Sequence, residues 1–401
     1  MRAAASLALI LTLLLAGCGG SDETETGASA SEVASGSDYV DWPLFGRVPQ
    51  RTHYLEAEGK ALDPPLKQAW SVNTHALIEF PPAIHDGVAY VINKYGNGKA
   101  VRLSDRKVLW ELNVRPSDKG KPNFVTAPVY YEGKVFGAFL DGHLAAGDAK
   151  DGHKVWVRDL GAHLESSPMA AKGMLYLGTD ANQVVAMRAA DGKVGWRFDS
   201  PGAVKASPSY HDGRLFVADY QSSMFALDAK TGKPLWRTNT SKQPPYDRGG
   251  FFSSPGVAFG KVYAARDDGT VFALDEKTGK VEWSFDTGGP VYGSPALAQV
   301  PGTPASVYIG SESGRFYALD AATGKVRWRY GVGGPVPGTA TVVDHTVYTS
   351  SFKTNRTIGL DAATHEKVFE AKQAGYTPVV SDGRRLYLVG YYVVIGLEPK
   401  R

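Results

Sequence analysis

The feature that most constrains the fold of this chain is an aromatic residue that returns every 40 to 47 positions in the same surroundings. Trp70, Trp110, Trp156, Trp196, Trp236, Trp283 and Trp328 each sit in a short strand-like run, and Phe369 takes the equivalent place in "HEKVFEAK". A period of this size is the length of one four-stranded propeller blade. Each period keeps one order of parts. An x-Ser-Pro step comes first, as in "SSPMAAKG" from Ser166, "ASPSYHDG" from Ala206 and "SSPGVAFG" from Ser253. A run such as "RLFVAD" or "KVYAAR" follows, then a polar turn, "ALD", "TGK" and the tryptophan run. The runs are short, rich in Val, Tyr, Phe and Leu, and bounded by Gly or Asp, which is the signature of strands and hairpins. Many are apolar on both faces, as expected where sheets pack face to face.

The eight equivalent positions predict an all-β fold, an eight-bladed propeller of four-stranded antiparallel blades. The first tryptophan, in "LKQAWSV" at 66–72, has no blade before it, and the chain stops soon after "YYVVIGLE" at 391–398. Circular closure resolves both facts. Residues 66–72 then supply the outer strand of the last blade, whose three inner strands come from 375–398, and no sheet edge is left exposed. The repeated aromatics read as anchors between blades, each a large apolar surface with, in tryptophan, one N–H to satisfy. Trp42 lies outside the repeat and reads as a residue that docks the segment before the propeller.

"TGK" at 231–233, 278–280 and 323–325 resembles part of a phosphate loop but fails as one. The residues where a Walker loop needs its first glycine are Leu227, Leu274 and Leu319, and no Ser or Thr follows the lysines. The triplet reads as a hairpin with glycine at positive φ and the preceding Asp capping the turn.

The amino terminus carries an address. Arg2 precedes an apolar stretch at 3–15, too short to span a bilayer, which takes about 20 residues. Leu15, Ala16, Gly17 and Cys18 then match a bacterial lipobox, so residues 1–17 read as a lipoprotein signal peptide and Cys18 as the lipidated residue. Cys18 is the single cysteine, which leaves packing to stabilise the fold. Residues 18–38 have almost nothing to bury and read as a disordered tether. Residues 39–65 read as a lead segment packed on a propeller formed by 66–401. The net charge of +3 makes no case for nucleic acid. Without Arg2 and the five acids of the tether, 43 basic residues face 36 acidic ones, a mild basic bias.

The repeat "ALDAKTGKxxW" resembles the PQQ-binding-like β-propeller repeat of quinoprotein alcohol dehydrogenases and of BamB-type outer-membrane assembly lipoproteins. The likeness covers about 66–401, and "DWPLFGRVPQRTHY" at 41–54 resembles the segment that precedes such propellers. It implies two functions. One is a lipid-anchored, non-catalytic scaffold at the bacterial envelope that meets envelope protein partners as a monomeric propeller. Its place would be the periplasmic face of an outer membrane, or the outer face of the cell membrane in a Gram-positive cell. The other is a PQQ-dependent dehydrogenase with calcium, or a small-ligand sensor, working in the propeller channel.

The residues favour the scaffold over an enzyme. The adjacent cysteine pair that the resemblance implies beside the quinone is missing, and no catalytic or metal-ligand motif stands out among the nine scattered histidines. The expectation is therefore no catalytic residue, no metal and no cofactor, with PQQ and calcium only under the dehydrogenase reading. Strand order places the loops leading into each blade, and those between second and third strands, on one face. The "HDG" and "TGK" turns lie on the other. The mouth of the channel on the first face is expected at Glu79, Glu165, Lys205, Phe252 and Tyr292. Two inserted loops there, at 115–124 and 241–252, are candidates for a partner through Arg115, Lys119, Lys121, Phe124, Tyr246, Arg248 and Phe251.

Overall fold

The computed structural model describes residues 39–56, 62–113, 125–241, 249–372, 374–375 and 379–400. The expected signal peptide, the tether and Cys18 lie outside these residues. So do Arg115, Lys119, Lys121, Phe124, Tyr246 and Arg248.

The chain forms eight antiparallel sheets, each a meander of four consecutive strands except where the ring closes. Blade 4 shows the plan: Ser209–His211, Arg214–Ala218, Ser223–Asp228 and Pro234–Asn239, in order from the channel outward. The short first strands lie side by side around the axis. The second and third strands are buried on both faces, which explains their unbroken apolar sequence. Closure follows the sequence expectation. Leu66–Asn73 pairs antiparallel with Val393–Pro399 and becomes the outer strand of blade 8, with Trp70 opposite Gly396.

Each part of the repeat has a packing reason. The alanine of "ALD" stands opposite the tryptophan on the neighbouring strand: Ala186 against Trp196, Ala226 against Trp236 and Ala273 against Trp283. The indole leans on the next blade and donates there. Trp156 Nε1 reaches Ala189 O at 3.1 Å, Trp196 reaches Ala229 O at 3.1 Å, and Trp236 reaches Glu276 O at 3.0 Å. Asp228 Oδ1 accepts from both the backbone N and Oγ1 of Thr231, at 2.7 and 2.6 Å. Gly232 has φ +72°, and a Cβ there would lie 2.6 Å from the ring of Trp196. The glycine of one blade is thus the seat for the tryptophan of the blade before it.

The x-Ser-Pro step builds a second linkage, nearer the axis. Each serine hydroxyl accepts the backbone N–H of its counterpart in the preceding blade: Ala127 to Ser167, Ser167 to Ser207, Ser207 to Ser254, Ser254 to Ser294, and Ser294 to Thr339 Oγ1. These bonds span 2.9 to 3.1 Å, and every member is buried. They form a belt through blades 2–7.

The lead segment runs around the inside of the ring and bonds to every blade. Val40 N donates to Asp382 O of blade 8 at 2.8 Å, and Trp42 and Ile84 of blade 1 exchange two backbone bonds at 2.9 and 2.8 Å. Tyr130, Tyr210, Val257, Leu297 and Val342, in the first strands of blades 2, 4, 5, 6 and 7, donate to the carbonyls of Pro43, Pro49, Gln50, Thr52 and His53. Blade 3 is reached through the Arg51 guanidinium, whose Nη2 donates to Ser167 O at 3.2 Å. Tyr54–Leu55 ends the circuit as a short parallel strand on blade 7. Trp42 is 2% exposed and packs among residues of blades 8 and 1, so it docks the lead segment as expected.

Candidate functional site

The two ends of the channel differ in chemistry. The centre of the ring holds Arg47, Arg51 and His53, all buried and drawn from the lead segment. Three of these backbone positions are left-handed, with φ of 71°, 54° and 52°, and Gly46 at 92° lets the chain pass within van der Waals contact of Arg51. Arg51 Nε donates to Pro208 O at 2.6 Å and its Nη1 to Phe45 O at 2.5 Å. Its charge is met by carbonyl dipoles, and no carboxylate pairs with it among the described residues. Burial pushes its pKa down to about 9. Burial first, and then the charge of Arg51, hold His53 neutral by lowering it to about 3. This centre is packed protein and serves to join the blades.

The mouth face is aromatic. Tyr220, Phe252, Tyr292, Phe352, Tyr391 and Tyr392 are exposed there, in loops leading into blades or between second and third strands. Four of the five residues expected at the mouth fall into two pairs within one arc, over blades 3–6. Lys205 Nζ lies 2.7 Å from Glu165 Oε1 and 3.8 Å from Asp180 Oδ2, and 5.3 Å from the centre of the Tyr220 ring. Phe252 and Tyr292 meet edge to face with centroids 6.0 Å apart. Glu79 sits outside this arc, in the loop between blades 8 and 1. Burial, partly offset by Lys94, raises its pKa to about 7.

Asp180 and Tyr220 are the residues that sequence reasoning missed at the mouth. Both lie between second and third strands, where periodicity marks only a polar turn. Asp180 Oδ1 is buried without a hydrogen-bond partner. Its pKa is raised, by burial first and then by the nearby charge of Glu165, against the pull of Lys205. An orphaned carboxylate oxygen beside a second carboxylate and an ammonium is a place prepared for a proton, a cation or a ligand donor.

Two further expectations are corrected. Phe251, expected to project from its loop toward a partner, is fully buried with its ring 6.1 Å from Phe272, because the loop turns inward after Gly250 and fills the gap beside blade 5. The expectation of no metal ligands also missed a cluster. Asp148, Asp151 and His153 bring one potential ligand atom each within 4.8 Å of one another, on the hairpin of blade 2. All three come from one six-residue turn, a spacing that the motif search does not test. This hairpin belongs to the turn face, away from the mouth. Asp267 and Asp268, by contrast, accept from the backbone, from Gly250 N and Thr270 N.

The family described as outer membrane protein assembly factor BamB matches residues 140–247 and 247–398, more than half of the chain. The chain belongs to that family. Among solved structures, BamB from Moraxella catarrhalis superposes with a TM-score of 0.69 at 16% identity, covering 83% of this chain and 99% of that one. The quinohemoprotein alcohol dehydrogenase from Comamonas testosteroni superposes with a TM-score of 0.72 at 17% identity, covering 90% and 81%. By sequence, the dehydrogenase subunit of a quinone alcohol dehydrogenase from Gluconacetobacter polyoxogenes is 29% identical over 178 residues. That match takes in 39% of this chain and 24% of the relative, so the chain spans about a quarter of the length of the curated relatives it matches first. The propeller is therefore one shared by BamB and the quinoprotein dehydrogenases. These findings go against the expectation that the chain is more likely a scaffold than an enzyme: the relatives it matches by sequence are dehydrogenases, and potential metal ligands are gathered on its surface.

Proposed function

We propose that the mouth is a quinoprotein-type site at which an alcohol or sugar hydroxyl is oxidised. The observation that carries this reading is the unpartnered, buried Asp180 Oδ1 beside Glu165 and Lys205. The donor set fits a pyrroloquinoline quinone with a divalent cation. Lys205 would hold an acidic group of the quinone, Glu165 would give the cation an oxygen ligand, and the rings of Tyr220, Phe252 and Tyr292 would cover the ligand and exclude water. When bound, the quinone accepts the two electrons and two protons that an alcohol gives up on becoming an aldehyde. Asp180 Oδ1 would take the hydroxyl proton, a task suited to a carboxylate whose pKa burial has raised. One ammonium serves both carboxylates, since Lys205 Nζ lies 2.7 Å from Glu165 Oε1 and 3.8 Å from Asp180 Oδ2.

The test is reconstitution of the purified chain with the quinone and calcium, followed by alcohol and sugar oxidation with an artificial acceptor. Turnover that falls about a hundredfold or more in Asp180→Asn, with quinone binding kept, is the expected result. Absence of both quinone binding and turnover would overturn it.

A second reading, attachment at the envelope and contact with an envelope protein there, is supported by the family match and by coverage of almost the whole BamB chain. It predicts that Cys18→Ala releases the protein from membranes on fractionation. Retention of that variant in the membrane would count against lipid on Cys18.

A further inference from the structure

The turn face carries features that the mouth reading does not use. The described chain begins there. The Tyr39 ring lies against Gly87 in the first turn of blade 1, with the Arg384 guanidinium 5.0 Å from its centre. Asp41 fixes the start of the lead segment by accepting from Asp86 N at 2.9 Å and by pairing with His85 Nδ1 at 2.5 Å. Tyr39, the first described residue, therefore sits on the turn face, between blades 8 and 1.

The same face bears an arc of exposed lysines. Lys107, Lys193, Lys233, Lys280 and Lys325 hold the same register at the end of the outer hairpin in blades 1, 3, 4, 5 and 6. None of the five forms an ion pair among the described residues. Asp228, Asp275 and Asp320 lie on the same hairpins, and each accepts from the hydroxyl and the backbone N–H of a threonine. These bonds hold the carboxylates against the turn backbone, whereas each lysine carries its charge on a four-carbon stem.

We infer that the turn face docks on an anionic phospholipid surface and leaves the channel mouth pointing away from it. Two independent observations agree: the described chain begins on this face, and the lysine arc lies on it. A segment of some 20 residues with the Gly- and Ser-rich composition expected of a tether would have a root-mean-square reach of roughly 25 Å, short enough to keep that face near any surface to which the amino terminus is fixed. The orientation does not depend on the chemistry of the mouth.

The experiment uses the full chain carrying Cys18→Ser, so that lipid attachment plays no part, with vesicles of phosphatidylcholine alone or mixed equally with phosphatidylglycerol. Binding is expected only to the mixed vesicles. The combined variant K107Q, K193Q, K233Q, K280Q and K325Q should weaken it by about fivefold per lysine removed, and the matching arginine variant should keep it. A fluorophore on Lys233→Cys should be quenched by lipid-borne nitroxide, and one on Tyr391→Cys should not. Equal affinity for both vesicle types, arginine variants that lose binding while melting normally, or stronger quenching at Tyr391 would each overturn the inference.

Discussion

The blades of the repeated arc and the seam where the ring closes are held together by different means. In blades 3–6 each junction has two links made from repeated residues: an indole N–H to the next blade near the rim, and a serine bond near the axis. At the seam neither is found among the described residues. Trp70 Nε1 is buried with no partner among the described residues, Phe369 has no N–H to give, and the belt among the described residues ends at Thr339. In their place stand the strand Leu66–Asn73 and the lead segment, neither of which repeats anything. Repetition can supply a bond only where a like neighbour exists on both sides. Where the chain ends meet, unique sequence must do the joining.

The largest effect in breaking this comparison should come from the lead segment, where it meets blades 3 and 4. Arg51→Ala strips partners from carbonyls of Phe45, Ser167, Pro168 and Pro208 at the centre of the ring. At about 1–3 kcal/mol for each buried group left unsatisfied, a loss of roughly 4 kcal/mol or more is expected in urea unfolding. A loss below about 1 kcal/mol would show that the lead segment only decorates the ring. In the repeated arc, Gly232→Ala drives a methyl group into Trp196 at a positive φ, and should cost about 1–3 kcal/mol by the same measurement.

A smaller contrast separates the two regions directly. Trp196→Phe forfeits the bond to Ala229 and should cost about 1 kcal/mol beyond the lost area. Trp70→Phe removes an N–H that already lacks a partner and should cost less. Equal losses would mean that the indole bonds add nothing at either place.

The smallest effect is the pH response of the junction of blades 4 and 5 on the turn face. The His211 pKa is raised, chiefly by its hydrogen bond to Glu276 Oε1 at 2.7 Å, against the opposing effect of burial. A raised folded pKa means that this contribution is complete below the unfolded value of about 6.5 and is lost as pH rises through the folded value. Thermal unfolding across that window should show a slope that His211→Gln flattens. An unchanged slope would remove His211 from the account.

Much of the fold could be read without coordinates because each blade solves the same local problem with the same words. Val, Tyr and Phe runs, Gly-Asp turns and a tryptophan at fixed spacing reveal strand, hairpin and period. Circular closure follows from a tryptophan run with no blade before it at one end and a blade with no tryptophan run after it at the other. The site was less legible. Glu165, Lys205, Phe252 and Tyr292 could be placed by counting back from each x-Ser-Pro step. Asp180 and Tyr220 could not, since nothing in a polar turn says whether its carboxylate will be solvated or orphaned. Phe251 and Phe252 are adjacent aromatics in one loop, yet one is buried and the other exposed.

The sequence by itself determined the number of blades, their order, the closing strand and the reading of "TGK" as a turn, because these depend on contacts within one repeat or on the count of repeats. Only the tertiary structure decided why the glycine of "TGK" must lack a side chain, why serine precedes proline, and where Arg51 puts its charge. Those answers lie in contacts with residues some forty positions away, or more than a hundred for Arg51. A one-dimensional pattern carries no distance between them until the ring has closed.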